Sequence, residues 1–523
     1  MRARLHALIY SLIYMLKENQ MPEQSEKMKK LLDLAAEMHD LGHVTAVLGW
    51  DQQVNMPKGG AEERGLQSAA LGKIMHEKFT SDAVGQLIAD LEDEVGDLNA
   101  ETDEARAVKV VKRQYEKQTK VPLSLLMERI KATTMAHEAW VEAKAQSNFS
   151  IFQPHLETIV DLSKQYADLF KPYDHVYDPL LDNYEPGMKT AEVRAIFGAL
   201  RPQQVELLQA IAEKEPPEDA FLNTYYQEEY QEIIGRYVIT RFGYDWNRGR
   251  LDVAPHPFTT DFGLGDVRIT TRYLKDDGGS ALFSTMHEAG HAMYGQGVAK
   301  KYRRHPLEGA ASLAIHESQS RLWENLIGRS REFWSFFYPS MQMLFPTQLG
   351  NISREDFYRG INRVEPSFIR VEADEATYNM HIMLRLEIEI ALMENTIDVK
   401  DLPEIWNSKM QEYLGISPPN DAKGVLQDIH WSAGMIGYFP TYALGNLASV
   451  QLWDTMLKEH PNIPDEIAQG KFDTILGWMR EHVHQYGNKY EPQEIMVKAT
   501  GSKITPEPYI NYLKTKYGEI YSL

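Results

Sequence analysis

His287-Glu288-Ala289-Gly290-His291 can serve chemistry in one backbone conformation, and it thereby constrains the fold around it. Two histidines four residues apart stand one above the other on an α-helix. Both imidazoles can then reach a single metal ion, and Glu288 stands beside the water that the ion activates. This geometry fits metal-assisted hydrolysis of a peptide bond. The flanks support a helix: Leu282, Met286, Ala289 and Met293 form an apolar stripe at helical spacing. Gly290 weakens a helix by about 1 kcal/mol relative to alanine, which makes sense if a neighbour packs against it.

A catalytic zinc site needs a third protein ligand and an open position. The stretch from Leu313 to Trp323 reads as a second helix, and Glu317 lies 26 residues after His291. Between them, Lys300 to Pro306 is a basic connector closed by proline. A return helix would turn Glu317 toward the two histidines and complete a two-His, one-Glu set. His316 competes for this role, although it points about 100° away from Glu317 on the same helix.

Composition narrows the chemistry further. Among 523 residues there are no cysteines, which excludes disulfides and thiolate ligands and leaves histidine and carboxylate. A net charge of −20 argues against nucleic acid or an anionic membrane surface as the main partner. No low-complexity tract, repeat or composition break marks a linker, so residues 21–523 read as one helical domain with two lobes around a cleft. Residues 1–20 read as an N-terminal extension. Arg2 and Arg4 precede an apolar stretch from Leu5 to Leu16, faintly like a signal peptide but without a small-residue cleavage site. That stretch is too short to span a bilayer.

Amphipathic helical periods run over 27–48, 61–91, 103–145, 151–170, 192–212, 228–241, 309–328, 370–396 and 438–459. The period breaks between Arg250 and Tyr273. There, Leu251-Asp252-Val253 and the alternating run from Val267 to Tyr273 predict a small hairpin or sheet just upstream of the HEAGH helix. A strand edge beside a cleft can pair with an extended peptide. The fold class expected is therefore all-α, with a small β element at the site.

Five ordered blocks carry a family resemblance. They are His256-Pro257-Phe258 with Asp266-Val267-Arg268-Ile269-Thr270; HEAGH; His316-Glu317-Ser318-Gln319-Ser320; Ile369-Arg370-Val371-Glu372-Ala373-Asp374-Glu375; and Gly424-Val425-Leu426-Gln427-Asp428-Ile429-His430-Trp431. With them the chain resembles the carboxypeptidase Taq family of zinc carboxypeptidases over nearly all of residues 21–523. The resemblance implies a helical fold with a deep groove, similar to neurolysin and angiotensin-converting enzyme. It also implies removal of single C-terminal residues with broad specificity and poor release of proline. It implies zinc or cobalt as working metal, and a cytoplasmic homodimer acting on peptides with a free C-terminus.

Roles follow for individual residues. His287, His291 and Glu317 are the expected metal ligands, and Glu288 the general base. His430 and Tyr442 are candidate donors to the developing oxyanion, with Tyr438 a weaker alternative. Arg370 is the expected reader of the free carboxylate, because a guanidinium can bind that group with two parallel hydrogen bonds. Arg268 either contacts substrate or pairs with Asp266 or Asp428 to brace the site. His256 is a further candidate substrate contact, and Asp266, Gln427 and Asp428 are expected to support these groups. HEAGH and Glu317 alone would equally suit an endo-acting zinc oligopeptidase, and the same scaffold could serve an idle peptide-binding protein. The other blocks, and the presence of every catalytic group, favour the carboxypeptidase.

Overall fold

A computed structural model describes residues 24–523. The N-terminal extension expected over residues 1–20 lies outside them. The described chain is mostly helical, with one three-stranded sheet. No described helix is long and apolar enough to cross a membrane.

The helices follow the amphipathic periods but divide where local chemistry requires it. The period over 61–91 is two helices, Ala61–Phe79 and Asp82–Val95, parted at Thr80 and Ser81. The period over 103–145 breaks into Asp103–Lys120 and Leu123–Gln146. Pro122 has no N–H to continue the first helix and disfavours helical backbone at Val121. The period at 370–396 becomes a helix only over Tyr378–Met393. Before it, the Asp374 carboxylate accepts the backbone N–H groups of Ala376 (2.9 Å), Thr377 (3.1 Å) and Glu365 (3.0 Å). One side chain thus holds this segment in a turn, competing with the helical ladder.

The sheet comprises β1 (Leu251–Val253), β2 (Thr259–Asp261) and β3 (Val267–Thr271), in the order β1-β3-β2. β3 pairs parallel with β1 and antiparallel with β2. Val267, Ile269 and Thr271 of β3 are buried. Thr271 also accepts a hydrogen bond from Thr285 of the HEAGH helix, Ser280–Gly297, at 3.1 Å.

On the other side of the HEAGH helix lies the helix Leu313–Arg321, entered through Ser312, whose hydroxyl accepts from the Ile315 N–H at 3.1 Å. Gly290 allows this approach: a Cβ there would stand 2.7 Å from Ser320 Cα and from Gln319 O. A third helix, Pro440–Glu459, closes on Leu313–Arg321 in the same way. A Cβ on Gly445 would stand 2.6 Å from Glu317 Cβ. These layers share one large apolar core, while Met28, Leu31, Phe79, Ile88 and Leu91 form a separate cluster among the N-terminal helices.

Candidate active site

His287 and His291 face Glu317 across the helix interface. Glu317 Oε2 lies 3.6 Å from His287 Nε2 and 3.5 Å from His291 Nε2. Ligand atoms about 2.1 Å from a tetrahedral ion stand roughly 3.4 Å apart, so this spacing accommodates one ion with little movement.

The far side of each ring is occupied. His287 Nδ1 lies 2.8 Å from Glu324 Oε2, which leaves Nε2 as the nitrogen facing Glu317. His291 Nδ1 lies 2.6 Å from His316 Nδ1. Burial and the neighbouring His291 depress His316 to about 3, so it is neutral. His316 thus lies behind a histidine that faces Glu317, rather than beside it. The residues present fit a divalent ion with nitrogen and oxygen donors.

Glu288 is buried, and its carboxylate is held from the sheet. Thr259 Oγ1 on β2 lies 2.6 Å from Glu288 Oε2 and 3.0 Å from the Glu288 carbonyl. Arg321 serves the other carboxylates, with Nε 2.6 Å from Glu317 Oε1 and a terminal nitrogen 3.2 Å from Glu324 Oε2. Burial alone would raise the Glu317 carboxyl, but Arg321 and His287 outweigh it and hold it well below the usual range. Glu324 is held near 2 in the same way, burial being outweighed by Arg321 and His287. Both are therefore ionised at neutral pH.

Thr259, Arg321 and Glu324 were not among the expected site residues. Arg321 and Glu324 lie four and seven residues after Glu317, so helical spacing was available as a signal. The helix passes into a π-helical turn over Leu322–Ile327, and that turn carries Glu324. Thr259 left no signal, because its contact joins a strand to a helix 29 residues away.

A second cluster adjoins the first. Arg370 donates from Nε (3.2 Å) and a terminal nitrogen (2.9 Å) to Asp428, and from the other terminal nitrogen to the Tyr378 hydroxyl (2.8 Å). Arg385, fully buried, also donates to Asp428 at 2.7 Å. Two guanidiniums sharing one carboxylate leave a single positive charge in excess. Gln427 accepts the Arg370 backbone N–H at 2.8 Å and donates to the Phe368 carbonyl at 2.8 Å, which fixes the Arg370 segment.

The Tyr442 ring covers the Arg370 guanidinium at 4.9 Å, and the Tyr442 hydroxyl lies 3.4 Å from His430 Nε2. Burial depresses His430 to about 4, so it is neutral, and its Nδ1 has no hydrogen-bond partner. Tyr438 packs edge-on against Tyr442 at 5.3 Å. A polar pocket of about 460 Å³ joins the two clusters, with Arg321, Glu324, Arg370, Tyr378 and Ser284 on its wall.

The remaining candidates lie apart from these clusters. Arg268 forms a two-bond pair with Asp266 (2.8 and 2.7 Å) and stacks between Trp50 (4.7 Å) and Phe262 (4.8 Å). Of the two braces considered for it, Asp266 and not Asp428 is its partner. Arg268 sits opposite Thr260, on the sheet face turned away from that of Thr259. His256 is exposed in the loop before β2.

The family model for the carboxypeptidase Taq (M32) metallopeptidases matches residues 30–517. Carboxypeptidase 1 of Bacillus subtilis is 39% identical over 496 residues, covering 95% of this chain and 99% of its own. Thermostable carboxypeptidase 1 of Pyrococcus furiosus is 40% identical, covering 94% of this chain and 99% of its own. The crystal structure of an M32 carboxypeptidase from Deinococcus radiodurans superposes with a TM-score of 0.92 at 37% identity, over 95% of this chain and all of that one.

Proposed function

The chain belongs to the carboxypeptidase Taq (M32) metallopeptidase family and is a metallocarboxypeptidase, a hydrolase of peptide bonds, and on that premise we propose that it removes single C-terminal residues using zinc held by His287, His291 and Glu317. Cobalt is a competent substitute. Specificity is broad, with poor release of proline. In this reading residues 21–523 act as one helical body with two lobes around a groove, and the enzyme works as a homodimer in the cytoplasm. Its substrates are peptides with a free C-terminus, and a net charge of −20 suits neither nucleic acid nor an anionic membrane.

One observation carries the reading: Glu324 and His316 each occupy a Nδ1, which leaves both Nε2 atoms facing Glu317 Oε2. When bound, a divalent ion supplies Lewis-acid polarisation of the scissile carbonyl and acidifies a water. Glu288, oriented by Thr259, takes the proton of the attacking water and delivers it to the leaving amine. Tyr442 and His430 donate to the developing oxyanion, with Tyr438 behind them. Arg370 reads the substrate carboxylate: it lines the pocket beside Arg321 and keeps one uncommitted N–H on each terminal nitrogen. The excess positive charge of the Arg370–Asp428–Arg385 group favours an anion there. Arg268 and Asp266 brace the sheet, and His256 reaches substrate from the loop before β2.

Product analysis of a mixed peptide pool by mass spectrometry tests the proposal. Ladders shortened from the C-terminus are expected, with amidated peptides spared. Glu288→Gln is expected to retain as much metal as the parent chain and lose at least about a hundredfold in rate. Internal fragments, or cleavage of amidated peptides at equal rate, would overturn the exopeptidase assignment.

A further inference from the structure

A second pair of histidines stands four residues apart, away from the HEAGH helix. His39 and His43 lie on the helix Glu26–Val54, with ring centroids 5.8 Å apart. Glu308, buried in the turn that follows the short helix Lys300–Tyr302, completes a group whose ligand atoms all lie within 4.8 Å of one another. Asp261, at the end of β2, lines the same cavity of about 140 Å³.

The electrostatics of this cavity are unbalanced. Asp261 and Glu308 both face it, and neither forms an ion pair among the described residues. Glu308 accepts the Arg304 backbone N–H, but the Arg304 guanidinium turns outward to Asp40, at 2.9 Å. No lysine or arginine lines the cavity among the described residues. Buried carboxylates are ordinarily paired with a cation or coordinate a metal.

The histidines are suited to the second alternative. Both rings line the cavity beside Glu308, and their four-residue spacing places them on one face of their helix.

We propose that His39, His43 and Glu308 form a second divalent-cation site, beside Asp261 and distinct from the one at His287, His291 and Glu317. Two imidazoles and one carboxylate, with no thiolate, suit zinc, cobalt(II) or manganese(II). The donors come from two separate segments: the N-terminal helix and the turn after Lys300–Tyr302. The ion therefore ties the N-terminal helices, which have their own small core, to the body that carries the HEAGH helix. Its role is structural, because it joins segments distant in the chain.

The test uses the full chain stripped by chelation and titrated with cobalt(II), read by metal analysis after gel filtration and by thermal melting. His287→Ala/His291→Ala removes the candidate active-site ligands. It is expected still to bind about one cobalt per chain and to melt higher with cobalt than without. Adding His39→Gln and His43→Gln is expected to abolish both effects. Adding Glu308→Gln instead, which keeps the side-chain shape, is expected to weaken binding at least about tenfold. The proposal is overturned if His287→Ala/His291→Ala takes up no cobalt. It is equally overturned if uptake persists unchanged in a folded chain lacking His39 and His43, or in one carrying Glu308→Gln.

Discussion

Thr259 Oγ1 donates to Glu288 Oε2 at 2.6 Å, so the carboxylate between the two histidines is aimed by a strand and not by its own helix. A glutamate free to rotate would present its oxygens to the attacking water only part of the time. A hydrogen bond to a charged group contributes about 1.5–3 kcal/mol. Thr259→Val is expected to lower kcat about tenfold, the low end of that range, with KM little changed. Thr259→Ser, which restores the hydroxyl, is expected to recover most of the loss. An unchanged kcat for the valine variant would show that Glu288 is positioned by something else.

Glu324 stands behind His287 and shares Arg321 with Glu317. Loss of its charge leaves the His287 tautomer less firmly set and Arg321 half-paired. Glu324→Gln is expected to weaken metal affinity about 10- to 100-fold, measured by competition with a chelating dye. Activity should return at saturating zinc. Unaltered affinity would place Glu324 outside the metal-supporting shell.

Arg370 is the proposed reader of the substrate terminus. Arg370→Ala is expected to slow a free-acid peptide about 10- to 100-fold in kcat/KM while barely affecting its amide. Arg370→Lys should recover part of this, since an ammonium lacks the planar fork. Equal loss on both peptides would make Arg370 a structural partner of Asp428 only.

Gly290 tests the helix interface against helix propensity. Alanine favours an isolated helix by about 1 kcal/mol over glycine. At this position its Cβ would stand 2.7 Å from Ser320 Cα, and overpacking of a core costs about 1–3 kcal/mol. The clash outweighs the propensity, so Gly290→Ala is expected to lower both the melting temperature and the metal affinity. A raised melting temperature with full activity would show that the two helices have room to part.

Glu185 makes stability depend on pH. It is fully buried, accepts the Ala314 N–H at 2.6 Å, and leaves its other oxygen unpartnered. Burial raises its carboxyl from 4.5 to about 8. A raised folded-state value means that the folded protein holds the proton more tightly than the unfolded chain does. Its contribution to stability is therefore full below about pH 4.5 and is lost as pH rises to about 8. In thermal melts between pH 5 and 9, Glu185→Gln is expected to show a flatter decline than the parent. Parallel profiles would rule this carboxyl out as the source.

Much of the architecture is local and therefore legible in order of residues. The spacing of His287 and His291 demands a helix, and the stripe from Leu282 to Met293 says which face is buried. Alternation between Val267 and Tyr273 marks a strand, and Pro122 marks a break that the amphipathic period alone runs through. Periodicity also makes Glu317 and Arg321 neighbours on one helical face. Such features depend on the repeat of a helix or strand, which a few consecutive residues reveal.

Other relationships exist only because distant segments meet. Thr259 reaches Glu288 because β2 lies beside the HEAGH helix, and no periodicity links those two positions. His316 and Glu317 adjoin in the chain, yet packing across Gly290 and Gly445 turns one behind His291 and the other toward both histidines. The π-helical turn that carries Glu324, and the sharing of Asp428 between Arg370 and Arg385, are likewise consequences of packing. Spacing along the chain specifies direction within one element. Which elements abut, and at what distance, is decided by close-packed side chains and by buried charges that must find partners.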